Sequence, residues 1–458
     1  MSGEHIDIAR AVRRAIGADN VLHMQGAFWV WRERGVWARA EDREIQQAIH
    51  AVLDERRSEQ FKRSTVDSVL DLLRTECFRP EHRWNLATDS VNTLSGVLEW
   101  DKAAERWGLR PHRREDYAIT QIPVEYAPEA EAPRFGQFLR EIFKAKEATS
   151  EASRDALGKE QCLLEFMGAT LLTTCRYERF LLLVGGGANG KTVTLKVVES
   201  LIGPAMVCAV QPSQLDNRFQ RAHLAGKLAN IVTEIAEGAE IADAALKAIV
   251  SGELTTAEHK HKPPFDFHPF AKCWFATNHM PHSRDFSDAL FRRALVLQFN
   301  QTFSGKECDP RLDEALRAEL PGILNLALEA AAALIRRGTF TEPASSLEAK
   351  KDWRLQCDQA AQFFEERLAS ASGEGMPSRT LYEHYRGWAQ AQGVQRVLTQ
   401  KSLVQRLVTR YALELNRTMT ERWVYGIKLQ DPRAGQEPKA PTEPAQVVRF
   451  LRPSERAP

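Results

Sequence analysis

The sequence predicts an α/β protein whose sheet is at least partly parallel, and three observations predict it. Apolar strand-like runs alternate with helical segments through the middle of the chain. One such run, FLLLV (residues 180–184), leads directly into a glycine-rich turn, and a helical pattern follows. The chain has 458 residues with 43% apolar and 27% charged side chains, so it is a globular protein with two to four domains.

The elements follow in order. Residues 1–150 carry many tryptophans in short apolar runs. FWVWRERGVWARA (28–40) reads as a hairpin with Gly35 in its turn. DREIQQAIHAVLDER (42–56) places Ile45, Ile49, Val52 and Leu53 on one helical face, with Asp42 as the expected N-cap. VEYAPEAEAPRF (124–135), with two prolines and little periodicity, reads as a linker.

Residues 151–310 form the expected α/β region. It has a helix over 161–174, the strand at 180–184, and a helix over 192–203 stopped by Gly203 and Pro204. Further strands are expected at 206–210, 228–235, 270–278 and 294–299. Residues 311–376 read as a helical lid or connector that includes a helix over 323–338. Residues 377–430 show two helices (378–393 and 399–412) and then two strands (413–417 and 422–429), the outline of a winged helix. Residues 431–458, rich in Pro, Ala and charge, are expected to be disordered.

Bulk properties exclude several classes. The net charge is only +1, so any nucleic-acid binding must come from local basic patches. No run of 18 apolar residues suggests a membrane span, and the N-terminal segment lacks a secretory apolar core. The seven cysteines contain no Cys-x-x-Cys pair, which argues against a zinc site or a disulfide framework and fits a reducing cytoplasm.

The segment Gly185, Gly186, Gly187, Ala188, Asn189, Gly190, Lys191, Thr192 matches the phosphate-loop pattern G-x-x-x-x-G-K-[ST]. Glycines let backbone N–H groups turn inward around phosphate oxygens. Lys191 supplies a positive charge for the β- and γ-phosphates, the Thr192 hydroxyl can ligate Mg²⁺, and the following helix aims its N-terminus at the anion. ATP and Mg²⁺ are therefore the expected cofactors. A bare glycine turn would satisfy the pattern without the flanking strand and helix. Such a loop needs an acid to complete the magnesium shell and activate water. Glu234, at the end of LANIVTE, is the first candidate, and Glu237 the second. Asn278 ends the strand KCWFATN, where it could touch the γ-phosphate or simply begin a turn. Arg292 and Arg293 precede another apolar strand. They could solvate an edge, or reach a neighbouring subunit's nucleotide.

Taken in order, the Asn-Gly-Lys loop, the strand ending in Glu234, LKAIVSGE, a basic hairpin, a strand ending in Thr-Asn and the Phe-Arg-Arg before a strand resemble a superfamily 3 helicase. Within that superfamily the pattern resembles the phage and plasmid primase-helicases, which are similar to the poxvirus primase-helicase. The resemblance is strongest over 160–300. It implies an AAA+-type P-loop ATPase core that assembles as a ring homo-hexamer and translocates on DNA. NTLSGVLEW and the residues 109–128 that follow resemble the helical region preceding the ATPase in that family, so a mainly helical N-terminal domain is expected. A primase domain lies upstream in many relatives. Here the helicase part alone is expected, beside a separately encoded primase or replication factor. Lys191, Glu234, Asn278 and one of Arg292 or Arg293 take the catalytic roles by this match. The family often shows two adjacent acids, whereas Thr233 and Ile235 flank Glu234 here.

Two segments are candidates for DNA contact. HKHK, within TTAEHKHKPPF (255–265), resembles the Lys-His hairpin tip that viral superfamily 3 helicases insert into the central pore. By that match Lys260 and His261 grip the sugar-phosphate backbone, with Lys262 nearby. An ordinary basic loop, or a metal site from His259, His261 and His268, are the competing readings. Residues 377–430 hold nine Lys or Arg against three acids, a concentration of charge in a nearly neutral chain. Lys401, Gln405 and Arg406 could face a DNA groove while Leu403, Val404, Leu407 and Val408 face a core.

The expected function is an ATP-dependent DNA helicase replicating a phage, plasmid or integrated element, acting on single-stranded and forked DNA with no membrane involvement. The alternative is an ATP-switched replication-origin binding protein with little unwinding. A P-loop phosphotransferase would need an acceptor site, and no feature suggests one.

Overall fold

A computed structural model describes residues 3–56, 62–80, 82–145, 147–283, 288–304, 309–394, 397–417 and 421–430. The expected disordered tail, 431–458, lies outside the described residues, as do Cys308 and Arg396. The chain divides into two compact units, one running through Cys357 and the other beginning at Asp358.

The first unit is organised by a five-stranded sheet: β1 (Phe180–Val184), β2 (Val207–Cys208), β3 (Ala229–Val232), β4 (Lys272–Thr277) and β5 (Ala294–Gln298). The order is β5-β1-β4-β3-β2 and every pairing is parallel. Parallel strands need both faces covered, which is why FLLLV reads as a continuous apolar run. Side chains alternate between two cores. Leu181, Leu183, Trp274, Leu295 and Leu297 pack on one face with the helices Ser150–Thr170, Lys191–Ile202 and Leu320–Arg337. Phe180, Leu182, Phe275 and Val296 pack on the other with the helices Asp243–Val250 and Ala344–Cys357. The Ser150–Thr170 and Leu320–Arg337 helices approach closely at Gly168, where a Cβ would fall 2.4 Å from the Ala327 carbonyl oxygen.

The N-terminal part of this unit corrects one expectation: it is mixed rather than mainly helical. Three helices, Gly3–Ile16, Asp42–Glu55 and Arg63–Glu76, cover one face of the antiparallel sheet Val21–Met24, Ala27–Arg32 and Val36–Ala40. The expected hairpin is present. Its third strand, Val21–Met24, joins through Gln25 and Gly26, both with positive φ (49° and 70°). Glu41, not Asp42, occupies the N-cap position of the second helix. NTLSGVLEW is not helical. Thr93 closes a turn onto Gly96, and Ser90–Asn92, Val97–Asp101 and Arg106–Arg110 form a second antiparallel sheet. The alternation of buried and exposed residues along VLEWD is strand periodicity, and the Thr-Leu-Ser-Gly turn breaks any helix there.

The second unit contains helix Gln359–Arg367, strand Leu368–Pro377, helices Ser378–Ala391 and Gln400–Tyr411, and strands Glu414–Arg417 and Arg422–Leu429. The long Arg422–Leu429 strand is central in an antiparallel sheet of three. Phe363, Leu381, Tyr385, Leu403, Leu407, Val424 and Ile427 form its core. The helix and strand from 359 to 377 lie in this unit, not in the helical connector expected at 311–376. LASASGEGMP hides a strand because it is rich in Gly and Ser and carries a register shift between Ala371 and Gly375. Among the described residues no single helix is long and apolar enough to cross a membrane.

Candidate functional site

The glycine loop joins β1 to the Lys191–Ile202 helix at the C-terminal edge of the sheet. Its shape is fixed from within and without. The buried Asn189 side chain donates from Nδ2 to the Gly186 carbonyl at 2.7 Å and accepts at Oδ1 from the Lys191 N–H at 3.4 Å. The Phe303 N–H donates to the Ala188 carbonyl at 2.7 Å, and the Gly185 N–H to Thr277 at 3.2 Å. Gly190 has φ +93°, and a Cβ there would fall 2.6 Å from Ile142 Cγ2, so only glycine fits. Sequence reasoning placed Asn189 in the loop but missed its stapling role. The Asn-Gly-Lys tripeptide was the available signal.

Lys191, Asn278 and Glu234 converge at this edge. Lys191 Nζ donates to the carbonyls of Gly185 (2.5 Å) and Gly186 (2.8 Å) and to Oδ1 of Asn278 (3.3 Å). Burial pushes the Lys191 ammonium below its ordinary value, and the negative charge of Glu234 partly offsets that. Asn278 follows β4 and Glu234 lies just beyond β3, both exposed, so two neighbouring strands deliver an amide and a carboxylate beside the ammonium. Glu237 lies in the exposed turn beyond. Thr192 is exposed in the first turn of the Lys191–Ile202 helix. Gly186, Gly187 and Ala188 are also exposed, so the loop rim faces solvent.

The arginine pair is not brought to this loop. The Arg293 carbonyl accepts from the Phe180 N–H at the start of β1, the opposite edge of the sheet from Gly185. At about 3.3 Å per residue that edge is roughly 16 Å away. Arg293 is held in place by Glu178 (2.6 Å), the Ser251 hydroxyl (3.1 Å) and the Ala289 carbonyl (2.9 Å). Arg292 is exposed.

HKHK lies at the tip of an antiparallel hairpin, Thr255–Ala257 with Phe265–Phe267. Lys260, His261 and Lys262 are all exposed, and His261 takes φ +64° to turn the chain. His259 stacks on Phe265, with ring centroids 5.3 Å apart, and Glu258 pairs with Arg218 at 3.0 Å, anchoring the hairpin base. The histidines are not gathered: His268 Nδ1 is 3.0 Å from the Gly252 carbonyl oxygen, away from the tip. Among the described residues no group of three His, Cys, Asp or Glu is placed to hold a metal.

In the second unit Thr399 caps the Gln400–Tyr411 helix, accepting from the Ser402 N–H at 3.2 Å. Leu403, Val404 and Leu407 face the core, while Lys401 and Gln405 are exposed on one face. Arg406 departs from that face. It is half-buried, and burial lowers its pKa against the opposing pull of Asp358 and Tyr385.

Three known families match this chain in consecutive segments. Residues 9–144 match "D5 N terminal like", 183–293 match a "Family of unknown function (DUF5906)", and 355–418 match "Poxvirus D5 protein-like". A protein of Invertebrate iridescent virus 3 named "Putative helicase 121R" is 23% identical over 240 residues, 44% of this chain and 26% of that protein. "Putative helicase L207/L206" of Acanthamoeba polyphaga mimivirus is 25% identical over 250 residues, 48% of this chain and 26% of that protein. The chain therefore matches about a quarter of the length of these relatives. The apo A form of the NrS-1 C-terminal region shares the fold, with a TM-score of 0.54, 12% identity, and coverage of 91% of this chain and 98% of that one. D5-type matches at both ends of the chain, together with helicase-named viral relatives, support a D5-like primase-helicase family for this chain.

Proposed function

We propose that this chain is an ATP-dependent DNA helicase of replication, working as a ring oligomer around single-stranded or forked DNA. The observation that carries this reading is the convergence of Lys191, Asn278 and Glu234 at one edge of a parallel sheet, against a glycine loop. In this reading the first unit holds an AAA+-type P-loop core. The residues present suit a magnesium–triphosphate: glycine amides and Lys191 for the phosphate oxygens, and the Thr192 hydroxyl with Glu234 for Mg²⁺. Bound ATP would supply the phosphoanhydride whose cleavage drives the motor. Lys191 exchanges loop carbonyls for phosphate oxygens, Asn278 orients the attacking water, and Glu234 takes its proton.

Because Arg292 stands on the edge of the sheet opposite its own loop, it completes a neighbouring subunit's site. That geometry favours a closed ring, in which each subunit supplies one finger and receives one. Lys260, His261 and Lys262 then line the central channel and hold the sugar-phosphate backbone. The helix–strand–helix–helix–strand–strand order of the second unit supports a winged helix, with Lys401 and Gln405 toward duplex DNA.

The exposed basic face of that unit also favours a second reading, an origin-binding protein that uses ATP as an assembly switch. Stimulation of ATP turnover by single-stranded DNA, with strand displacement, supports the helicase. Turnover indifferent to DNA, with sequence-specific duplex binding, supports the switch.

A further inference from the structure

The N-terminal sheet of the first unit has one face against three helices and a second face made of tryptophan. Phe28 and Val30 point into the helical core, so their neighbours Trp29 and Trp31 point the other way. On the adjacent strand Arg39 lies opposite Trp29, and Trp37 opposite Trp31. Trp84 completes the surface, 4.6 Å from Trp29 and 5.9 Å from Trp37, ring centre to ring centre.

Trp37 is the floor of this face: it is 1% exposed and its Nε1–H donates to the Arg114 carbonyl at 2.9 Å. Trp29, Trp31 and Trp84 are only half-buried, so each keeps indole surface in water. Leaving several large rings half-wet does little for folding, since the same sheet could carry threonines or valines there. Arg39 stands across from Trp29, and Arg83 precedes Trp84 in the chain; both are exposed and without an ion pair among the described residues. Flat rings interleaved with unpaired guanidinium groups match stacked bases and phosphates of a single strand. His259, in the hairpin, has its pKa lowered by burial first and then by the charge of Arg39, so the Arg39 end of this face lies toward the hairpin.

We propose that this face is a single-strand binding platform, with bases stacked on Trp29, Trp31 and Trp84 and phosphates held by Arg39 and Arg83. The proposal rests on the reading that the chain works on single-stranded DNA. It adds a base-stacking site separate from the hairpin, where backbone contact dominates.

The test compares binding of the full chain to an oligothymidylate and to an abasic deoxyribose-phosphate strand of equal length. The platform requires a preference for the oligothymidylate of about tenfold or more. Trp29→Ala should remove most of that preference and leave binding of the abasic strand unchanged, with basal ATP turnover as the check on folding. Trp29→Phe should keep the preference, and Arg39→Glu should weaken both strands by about tenfold. Photocrosslinking of 5-iodouracil strands to the wild-type chain should mark Trp29, Trp31 or Trp84. Equal wild-type affinity for both strands, or a preference and crosslinks untouched by Trp29→Ala, overturns the platform alone and assigns the face to a protein contact. No binding of either strand overturns the platform together with the helicase reading.

Discussion

Lys191 Nζ donates to Asn278 Oδ1 at 3.3 Å across the β1–β4 pair, joining the glycine loop to the end of the next strand. The parallel register makes this possible, since Thr277 pairs with Val184 and the next residue of each strand turns out at one edge. The contact gives two separable expectations. Lys191→Ala should lower ATP hydrolysis by about a thousandfold, through loss of the charge that holds the transferring phosphoryl group. Asn278→Ala should lower kcat by roughly ten- to a hundredfold with KM changed little, because in the proposed mechanism it orients the attacking water. Phosphate-release kinetics measure both.

The two adjacent arginines should behave differently. Arg293 is 12% exposed and bonded to Glu178, Ser251 and Ala289, so Arg293→Ala should lower stability by about 1–3 kcal/mol, read by denaturant unfolding. Arg292→Ala should leave stability within about 0.5 kcal/mol and lower kcat by about a hundredfold or more. Mixing Arg292→Ala with Lys191→Ala subunits should restore part of the turnover, because a finger and a loop then meet at some interfaces. No recovery in any mixture contradicts a finger acting between subunits.

At the hairpin, Lys260→Ala should leave basal ATP turnover within about twofold and abolish strand displacement, since the tip is exposed and its two strands form a sheet separate from the one that carries the glycine loop. Single-strand binding should also lose about one unit of its salt-dependence slope. Full unwinding by this variant would remove the hairpin from the mechanism.

Cysteine titration provides a test of the core. Burial pushes the Cys208 thiol up to about 12, and raises Cys162 and Cys273 further. At pH 8 the native Cys208 therefore stays protonated, whereas an unfolded thiol near pKa 8.5 is about a quarter ionised. Alkylation at these three positions should therefore be slow in the native chain and fast in denaturant, as mass spectrometry would read. The sign for stability follows. The unfolded chain releases these protons above about pH 8.5 while the fold retains them, so stability is full below that pH and falls as pH rises toward 12.

The parts legible in the sequence were those with a strong local cause. FLLLV followed by GGGANGKT fixed a buried strand, a loop and a helix to within a residue, because apolar continuity and glycine spacing both act locally. The Asn278 position was readable from the polar end of KCWFATN, yet its bond to Lys191 depends on strand order, which no local pattern encodes. Arg292 and Arg293 could not be told apart by adjacency. Glu178 and Ser251, 115 and 42 residues away from Arg293, make the distinction. The strand Leu368–Pro377 escaped notice because its side chains are small and polar, and its partner Arg422–Leu429 supplies the order. The second sheet of the N-terminal region was obscured by expecting a helix where Thr93 and Gly96 make a turn.

The most direct test of the account is ATP-driven strand displacement on a forked DNA, with the wild-type chain and Lys191→Ala side by side and the oligomer sized in ATP. The expected result is displacement by the wild type as a ring-sized assembly, strictly dependent on ATP and Mg²⁺, and none by Lys191→Ala. ATP hydrolysis at an undiminished rate by Lys191→Ala, or hydrolysis by the wild type with no displacement on any fork, would contradict it.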